Sequence, residues 1–203
     1  MIPFIFPPGE DARALVAQLQ ANGWLGQIIG PHGSGKSSLV ASLIPAIEQA
    51  GRHAVLVELH DRQRRLPIDG ALQAELGEGA VLIVDGYEQL SLLSRLRLRR
   101  LRRGKRVGLV VTAHASVGLP TLHRTFSNLE SAREIISQLL RDDPTRFTPE
   151  EIESAFVRHG GNLRECLFDL YDLYEARRAE PEGDLKNCPL SPKAGKTGPL
   201  SAN

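Results

Sequence analysis

Apolar residues recur along this chain in two rhythms. Between Asp11 and Asn22, Leu15, Val16 and Leu19 follow a helical spacing that stops at Gly23, a residue suited to a helix C-terminus. Leu25–Ile29 is then a short apolar run leading into GPHGSGKSS, after which Leu39, Val40, Leu43, Ile44 and Ile47 return to helical spacing until Gly51. Ala54–Leu59, Ala80–Val84 and Val107–Val111 are further β-rich runs, and the stretch between the last two is helical. Strands that alternate with helices and are themselves apolar throughout predict an α/β fold, a three-layer sandwich with a mostly parallel sheet covered on both faces. Pro120–Phe126 is short and half polar, and is expected as a fifth strand.

From Leu129 the pattern is wholly helical, with Ile135, Ile136, Leu139 and Leu140, and it breaks at Asp142–Pro144. Thr148-Pro149-Glu150-Glu151 then reads as a capping box with proline at the first helical position, and Gly160-Gly161 closes that helix. Asn162 caps the next one, whose stripe of Leu163, Cys166, Leu167, Leu170, Tyr171 and Tyr174 needs a packing partner. After Ala179 almost nothing can be buried, so 181–203 is expected to be disordered. The expected division is therefore a main domain over 1–143, a small helical unit over 144–180 and a tail.

Composition changes this picture little. A net charge of +1 over 203 residues gives no global attraction to nucleic acid or anionic lipid. The apolar runs are far shorter than the ~20 residues of a membrane span. MIPFIFPPGEDA lacks the basic flank and cleavage site of a secretory leader, so a cytoplasmic protein is expected. Two cysteines, Cys166 on an apolar helical face and Cys188 in the tail, form no disulfide framework or metal cluster.

The chemistry concentrates in Gly30-Pro31-His32-Gly33-Ser34-Gly35-Lys36-Ser37-Ser38, which fits the Walker A pattern G-x-x-x-x-G-K-[ST] between a strand and a helix. Glycines let successive backbone N–H groups turn toward phosphates, and the following helix offers unpaired amides and a positive dipole end. Lys36 is then the phosphate cation and Ser37 the Mg²⁺ ligand. A plain glycine-rich turn would explain Gly30 and Gly33, but gives no reason for a lysine in the first helical turn, where the dipole disfavours cations. By its resemblance to P-loop proteins the chain is expected to take ATP rather than GTP, since no guanine-reading N-K-x-D motif follows the strands.

Val81–Asp85 is an apolar strand ending in an acid, similar to a Walker B segment, which makes Asp85 the second candidate for the metal. Taken alone, such an Asp equally well marks a strand end or a turn. ATPases of the additional-strand division place a water-activating glutamate directly after this acid; here Gly86 stands there and Glu88 follows two residues on. Glu88 is either that base or a helix-start carboxylate favoured by the dipole. Thr112 and His114 end the next strand, where related ATPases carry a polar sensor of the γ-phosphate. Thr112 is the nearer to the strand end, and His114 reads first as a solvated loop histidine.

Gly161-Asn162-Leu163-Arg164-Glu165 resembles the G-N-x-R-E segment in the lid of AAA+ ATPases. With GPHGSGKSS and VLIVDG, the resemblance runs from about Gly30 to Tyr174 and implies a P-loop NTPase of the AAA/ABC-like additional-strand division with a short helical lid. It implies that Arg164 reaches the nucleotide as sensor 2; otherwise it is a surface arginine paired with Glu165 or Asp169. Two features depart from the pattern. Ala115–Leu122 holds no arginine finger, leaving only Arg124 close behind, and there is no LSGGQ signature.

Leu90–Arg106 is dense in arginine and leucine. At 100° per residue Arg95, Arg99, Arg102 and Arg103 share one face, expected to be solvated, while Arg97 and Arg100 fall within the leucine arc and should meet acids, phosphate or a partner. Nucleic acid bound through Arg95–Arg106 is one expectation, and a plain basic helix the other. The function expected overall is an ATPase that couples nucleotide state to a partner, for which Lys36, Glu88, Thr112 and Arg164 are the catalytic candidates. The alternatives are a kinase with Asp61, Arg62, Arg64 and Arg65 at its acceptor site, and a nucleotide switch that scarcely hydrolyses.

Overall fold

The computed structural model describes residues 4–7, 9–60, 63–67, 70–140, 143 and 146–179. The tail over 181–203, with Cys188, lies outside the described residues, as do Asp61, Arg62, Asp142 and Pro144. Five strands, β1 (Leu25–Ile29), β2 (Ala54–Glu58), β3 (Val81–Asp85), β4 (Gly108–Ala113) and β5 (Thr121–Arg124), form one parallel sheet in the order β2-β3-β4-β1-β5. The half-polar segment after Pro120 does make a strand. It sits at the edge beside β1, where only Leu122 of its four residues is buried and polar neighbours cost little. Because β4 stands between β1 and β3, the ends of three strands meet at one edge of the sheet, and the middle one carries Thr112.

The helices are α1 (Ala12–Ala21), α2 (Lys36–Gln49), α3 (Gly70–Glu75), α4 (Leu92–Lys105), α5 (Leu129–Leu139), α6 (Pro149–Arg158) and α7 (Leu163–Ala179). The central strands alternate their side chains between two cores. Leu82, Val84, Leu109 and Val111 face Leu72 and Leu76 near α3 and Leu98 of α4. Val81, Ile83, Val110 and Ile28 face Leu15 and Leu19 of α1 and Leu39, Leu43 and Ile47 of α2. The two-residue period of the strands thus explains why their sequences are apolar throughout, with ~1.5–3 kcal/mol gained per fully buried aliphatic side chain. The α/β sandwich with parallel sheet is as the sequence predicts.

A third cluster joins α5, α6 and α7 through Ile136, Phe147, Ile152, Ala155, Cys166 and Leu170. The capping box at Thr148 is present, with Thr148 N donating to Glu151 and Glu151 N donating to Thr148. Burial pushes the Cys166 thiol up, which suits an inert packing residue. One expectation about α7 fails. Tyr171, placed on the apolar stripe by its spacing, is 59% exposed.

The expectation for the arginine helix holds for Arg99 and Arg103, which are exposed, and fails for Arg95 and Arg102. Helix α4 buries a narrow line, Ser94 and Leu98 with Leu101 beside them, so the leucines split onto opposite sides. Leu92, Leu93 and Leu96 are 76%, 70% and 51% exposed, and Arg97 and Arg100 are exposed beside them. Arg95 and Arg102, expected on the solvated face, are instead half-buried at the margin of the core. Among the described residues no helix is long and apolar enough to cross a membrane.

Candidate functional site

The loop between β1 and α2 wraps the sheet edge where β1, β3 and β4 end. Gly35, in the left-handed region at φ 87°, caps α2 without a side chain, and Gly33 has φ 68°. Gly33 is also a point of close approach. A Cβ placed there would stand 1.8 Å from Asn162 Oδ1, so the helical unit rests on the loop at a residue with no side chain. Asn162 Oδ1 accepts from Arg164 N and Glu165 N, so the same amide caps α7 and holds it against the loop.

Lys36 Nζ donates to Gly30 O and Pro31 O, each at 2.7 Å. Desolvation lowers its pKa from the ordinary lysine value, while the charges of Glu88 and then Asp85 act in the opposite sense. Both carboxylates therefore stand close enough to the ammonium to act on it. The Ser37 hydroxyl, at the start of α2, is exposed and has no partner among the described residues. Ser34 is buried: its hydroxyl donates to Pro31 O at 2.8 Å and lies 2.6 Å from Thr125 Oγ1. Thr125 N in turn donates to Ile29 O, so the loop is tied to the segment after β5.

Thr112 Oγ1 donates to Asp85 Oδ1 and accepts from Gly86 N at 2.9 Å. It is fully buried, so its hydroxyl is engaged in fixing the Asp85 turn. Gly86 has φ 83°, a conformation L side chains rarely adopt, and it opens a 3-10 turn over Tyr87–Gln89. This accounts for the glycine at the place where the resemblance leads one to expect glutamate. The tight turn brings Glu88 back instead. Arg95 braces that turn, donating to Glu88 O at 2.9 Å with its guanidinium 5.0 Å from the Tyr87 ring centre.

The Glu88 side chain points to the loop. Its Oε1 is 2.8 Å from His114 Nε2, and its Oε2 is buried with no hydrogen-bond partner among the described residues. The His114 ring lies 3.8 Å, centre to centre, from that of His32 in the phosphate loop. His114 is thus no solvated loop residue but half-buried between a carboxylate and the loop, which corrects the expectation for it. Arg164 is exposed, its guanidinium 5.8 Å from the Phe168 ring centre and directed along α7; Asp169 pairs with Arg158 instead. Of the residues proposed for an acceptor site, Arg64 and Arg65 are exposed, and Arg64 O accepts from Ser91 N and Ser94 Oγ at the start of α4.

Sequence reasoning missed Gln27 and Thr125. Gln27 is 1% exposed in β1, donates to Ser116 Oγ and Thr121 Oγ1, and accepts from Val117 N. It fixes the loop between β4 and β5 and so the ground on which His114 stands. Its one signal was a polar residue at the centre of an apolar run.

No known family profile matches the sequence, and no curated protein matches it. Solved structures do. AMPPCP-bound DnaA from Aquifex aeolicus superposes with a TM-score of 0.54 at 13% identity, over 87% of this chain and 66% of that one. NtrX from Brucella abortus in complex with ADP gives 0.53 at 13% identity, over 83% of this chain and 52% of that one. With the parallel five-strand sheet, this likeness defines the fold as that of a P-loop AAA-type NTPase. The chain spans just under two thirds of the one structure and about half of the other.

Proposed function

We propose that the chain binds ATP with Mg²⁺ on the 30–38 loop and hydrolyses it, with the helical unit acting as a lid that passes nucleotide state to a protein partner. The observation that carries this reading is that Lys36, at the start of α2, turns its ammonium back onto the loop carbonyls Gly30 O and Pro31 O, where the charges of Glu88 in the turn after β3 and Asp85 at its end act on it. The donor set fits a polyphosphate and its metal. Among the described residues the ammonium of Lys36 is satisfied only by backbone carbonyls, the Ser37 hydroxyl has no partner, and Glu88 Oε2 is a buried acceptor without one. Gly30, Pro31, His32, Gly33, Ser34, Gly35 and Ser38 supply the loop around them.

In this reading Lys36 and the amides at the start of α2 hold the phosphates, and Ser37 and Asp85 hold the Mg²⁺. The metal, when bound, supplies positive charge to the phosphate oxygens. Thr112 keeps the Asp85 carboxylate in place by its hydroxyl. Glu88 accepts the proton of the attacking water, and His114 fixes the carboxylate for that task. Arg164 starts α7 beside the loop and is the lid's cation for the nucleotide. Both similar structures were solved with an adenine nucleotide or its analogue, which supports the choice of ATP.

The test is a calorimetric titration with ATP and with GTP, each with and without Mg²⁺, alongside phosphate release. ATP-selective, magnesium-dependent binding with turnover upholds the reading. Turnover only with an added small acceptor would favour phosphoryl transfer, and tight binding without turnover a switch.

A further inference from the structure

Two helix faces of this chain lie open, and they are complementary. Helix α4 turns Leu92, Leu93 and Leu96 outward in its first half, and one and two turns further on the same face carries Arg99, Arg100 and Arg103. Helix α7 turns Phe168 and Tyr171 outward, 54% and 59% exposed, followed on the same side by Asp172 and half-exposed Glu175. Among the described residues none of these three guanidiniums and neither carboxylate forms an ion pair. The acids of the lid that do, Glu151, Glu153 and Asp169, use Arg177, Arg133 and Arg158. α4 packs on the sheet while α7 belongs to the separate cluster of the lid.

We infer that α4 of one molecule docks on α7 of a second copy of this chain. A cluster of leucines at i, i+1 and i+4 is a contiguous apolar patch, unlike single exposed leucines, which need no explanation. The order of features selects the partner. Both faces run from apolar to charged in the N-to-C direction, and the charges are opposite. At ~1.5 Å per residue the step from apolar to charged centre is ~10 Å on α4 and ~6 Å on α7, close enough for long arginine side chains to span the difference. Helices laid side by side in the same direction then place Leu92, Leu93 and Leu96 on Phe168 and Tyr171, and the arginines on Asp172 and Glu175.

A polynucleotide would use the arginines and leave three leucines in water; an acidic, aromatic helix uses both halves. The contact joins different faces of the two copies, so it is heterologous and leads to a ring or an open chain of molecules. It also adjoins the nucleotide machinery at both ends: Arg95 on α4 braces Glu88, and Arg164 on α7 lies over Phe168. The inference itself does not depend on nucleotide binding.

The test is the mass of the full chain by sedimentation, as a function of concentration and at low and high salt. The expected result is reversible growth beyond the dimer that recedes with salt. Leu92→Glu with Leu96→Glu should weaken association about tenfold or more, as should Asp172→Arg with Glu175→Arg. Leu92, Leu96 and Asp172 are exposed and Glu175 half-exposed, and unchanged thermal melting verifies the fold. Mixing the two variants restores one good contact and should yield a 1:1 dimer that grows no further. Arg100→Glu with Arg103→Glu should likewise weaken association, and combining it with the α7 reversal in one chain should recover it. A monomer at every concentration overturns the inference, as do equal association by all variants and binding of a polynucleotide that only the arginine changes abolish.

Discussion

His114 Nε2 lies 2.8 Å from Glu88 Oε1, joining the loop after β4 to the turn after β3. Among the described residues Glu88 Oε2 is buried without a partner, so one oxygen is held while the other is left to accept. If Glu88 is the general base, Glu88→Gln keeps the shape and removes the basicity. Turnover should fall by ~10²–10⁴-fold while ATP affinity stays nearly unchanged, because the base acts in the transition state and not on the bound ground state. Phosphate release and calorimetry on the same preparation check this. A variant keeping more than about a third of the rate would return Glu88 to the role of a helix-start carboxylate.

In the proposed reaction His114 acts through Glu88, as a positioning residue. His114→Ala should lower kcat about tenfold with little change in KM, since a hydrogen bond to a charged group is worth ~1.5–3 kcal/mol. His114→Gln, which retains a donor, should recover part of the loss. A purely structural histidine would show no such rescue, and its removal would appear in the melting temperature instead.

Asp85 has two neighbours to answer to. Asp85→Asn should weaken ATP binding more with Mg²⁺ than without it, because a metal-ligating carboxylate matters most when the metal is there. Equal losses would make it only the acceptor for Thr112. The companion change Thr112→Val leaves the half-buried Gly86 N–H without its acceptor and should cost about 1 kcal/mol of stability by denaturant titration.

Much of this architecture was legible because it is local. Short apolar runs mark β1 to β4, the 3.6-residue rhythm marks the long helices, and the box at Thr148 marks the start of α6. Walker A is legible for the same reason, its groups being consecutive. What the periodicity could not supply is pairing between side chains far apart in sequence. Ser34 with Thr125, Gln27 with Val117, and Glu88 with His114 each need the strand order to bring them together. The arginine helix misled for a different physical reason. A helix lying on a sheet buries one narrow line, and with leucines at five of its positions only packing decides which of them form it.

The helical unit of α5, α6 and α7 carries its own pH sensitivity. Arg177 and then the Thr148 backbone N–H hold the Glu151 carboxyl below the usual carboxylate range, and Glu150 is lowered by its own helix-start N–H and by Thr148. A depressed carboxylate contributes stability that is fully present above its unfolded pKa and is lost as pH falls through the folded one. Melting temperature should therefore drop on acidification through the carboxylate range. Glu151→Gln should lower it at neutral pH and flatten that drop; an unchanged acid limb would show that other carboxylates dominate.

Lys36 has the opposite linkage, and it separates stability from binding. Its folded pKa is lowered, chiefly by desolvation, so between that value and the ordinary lysine value the unfolded chain holds more protons. Stability from this group thus rises with pH across that window. In the folded chain the charged form bears a desolvation cost that Glu88 and Asp85 offset only in part. Lys36→Met removes the cost along with the donor to Gly30 O and Pro31 O, which water at the loop can replace. The unliganded melting temperature should therefore hold or rise, in line with a residue kept for its ligand. With ATP·Mg²⁺ at ~100 times its Kd the native chain should gain ~2.7 kcal/mol, and the variant almost none at the same concentration. Thermal melts of both proteins, with and without nucleotide and at neutral and alkaline pH, measure all of this together. A nucleotide shift of equal size in the variant would remove Lys36 from the phosphate site.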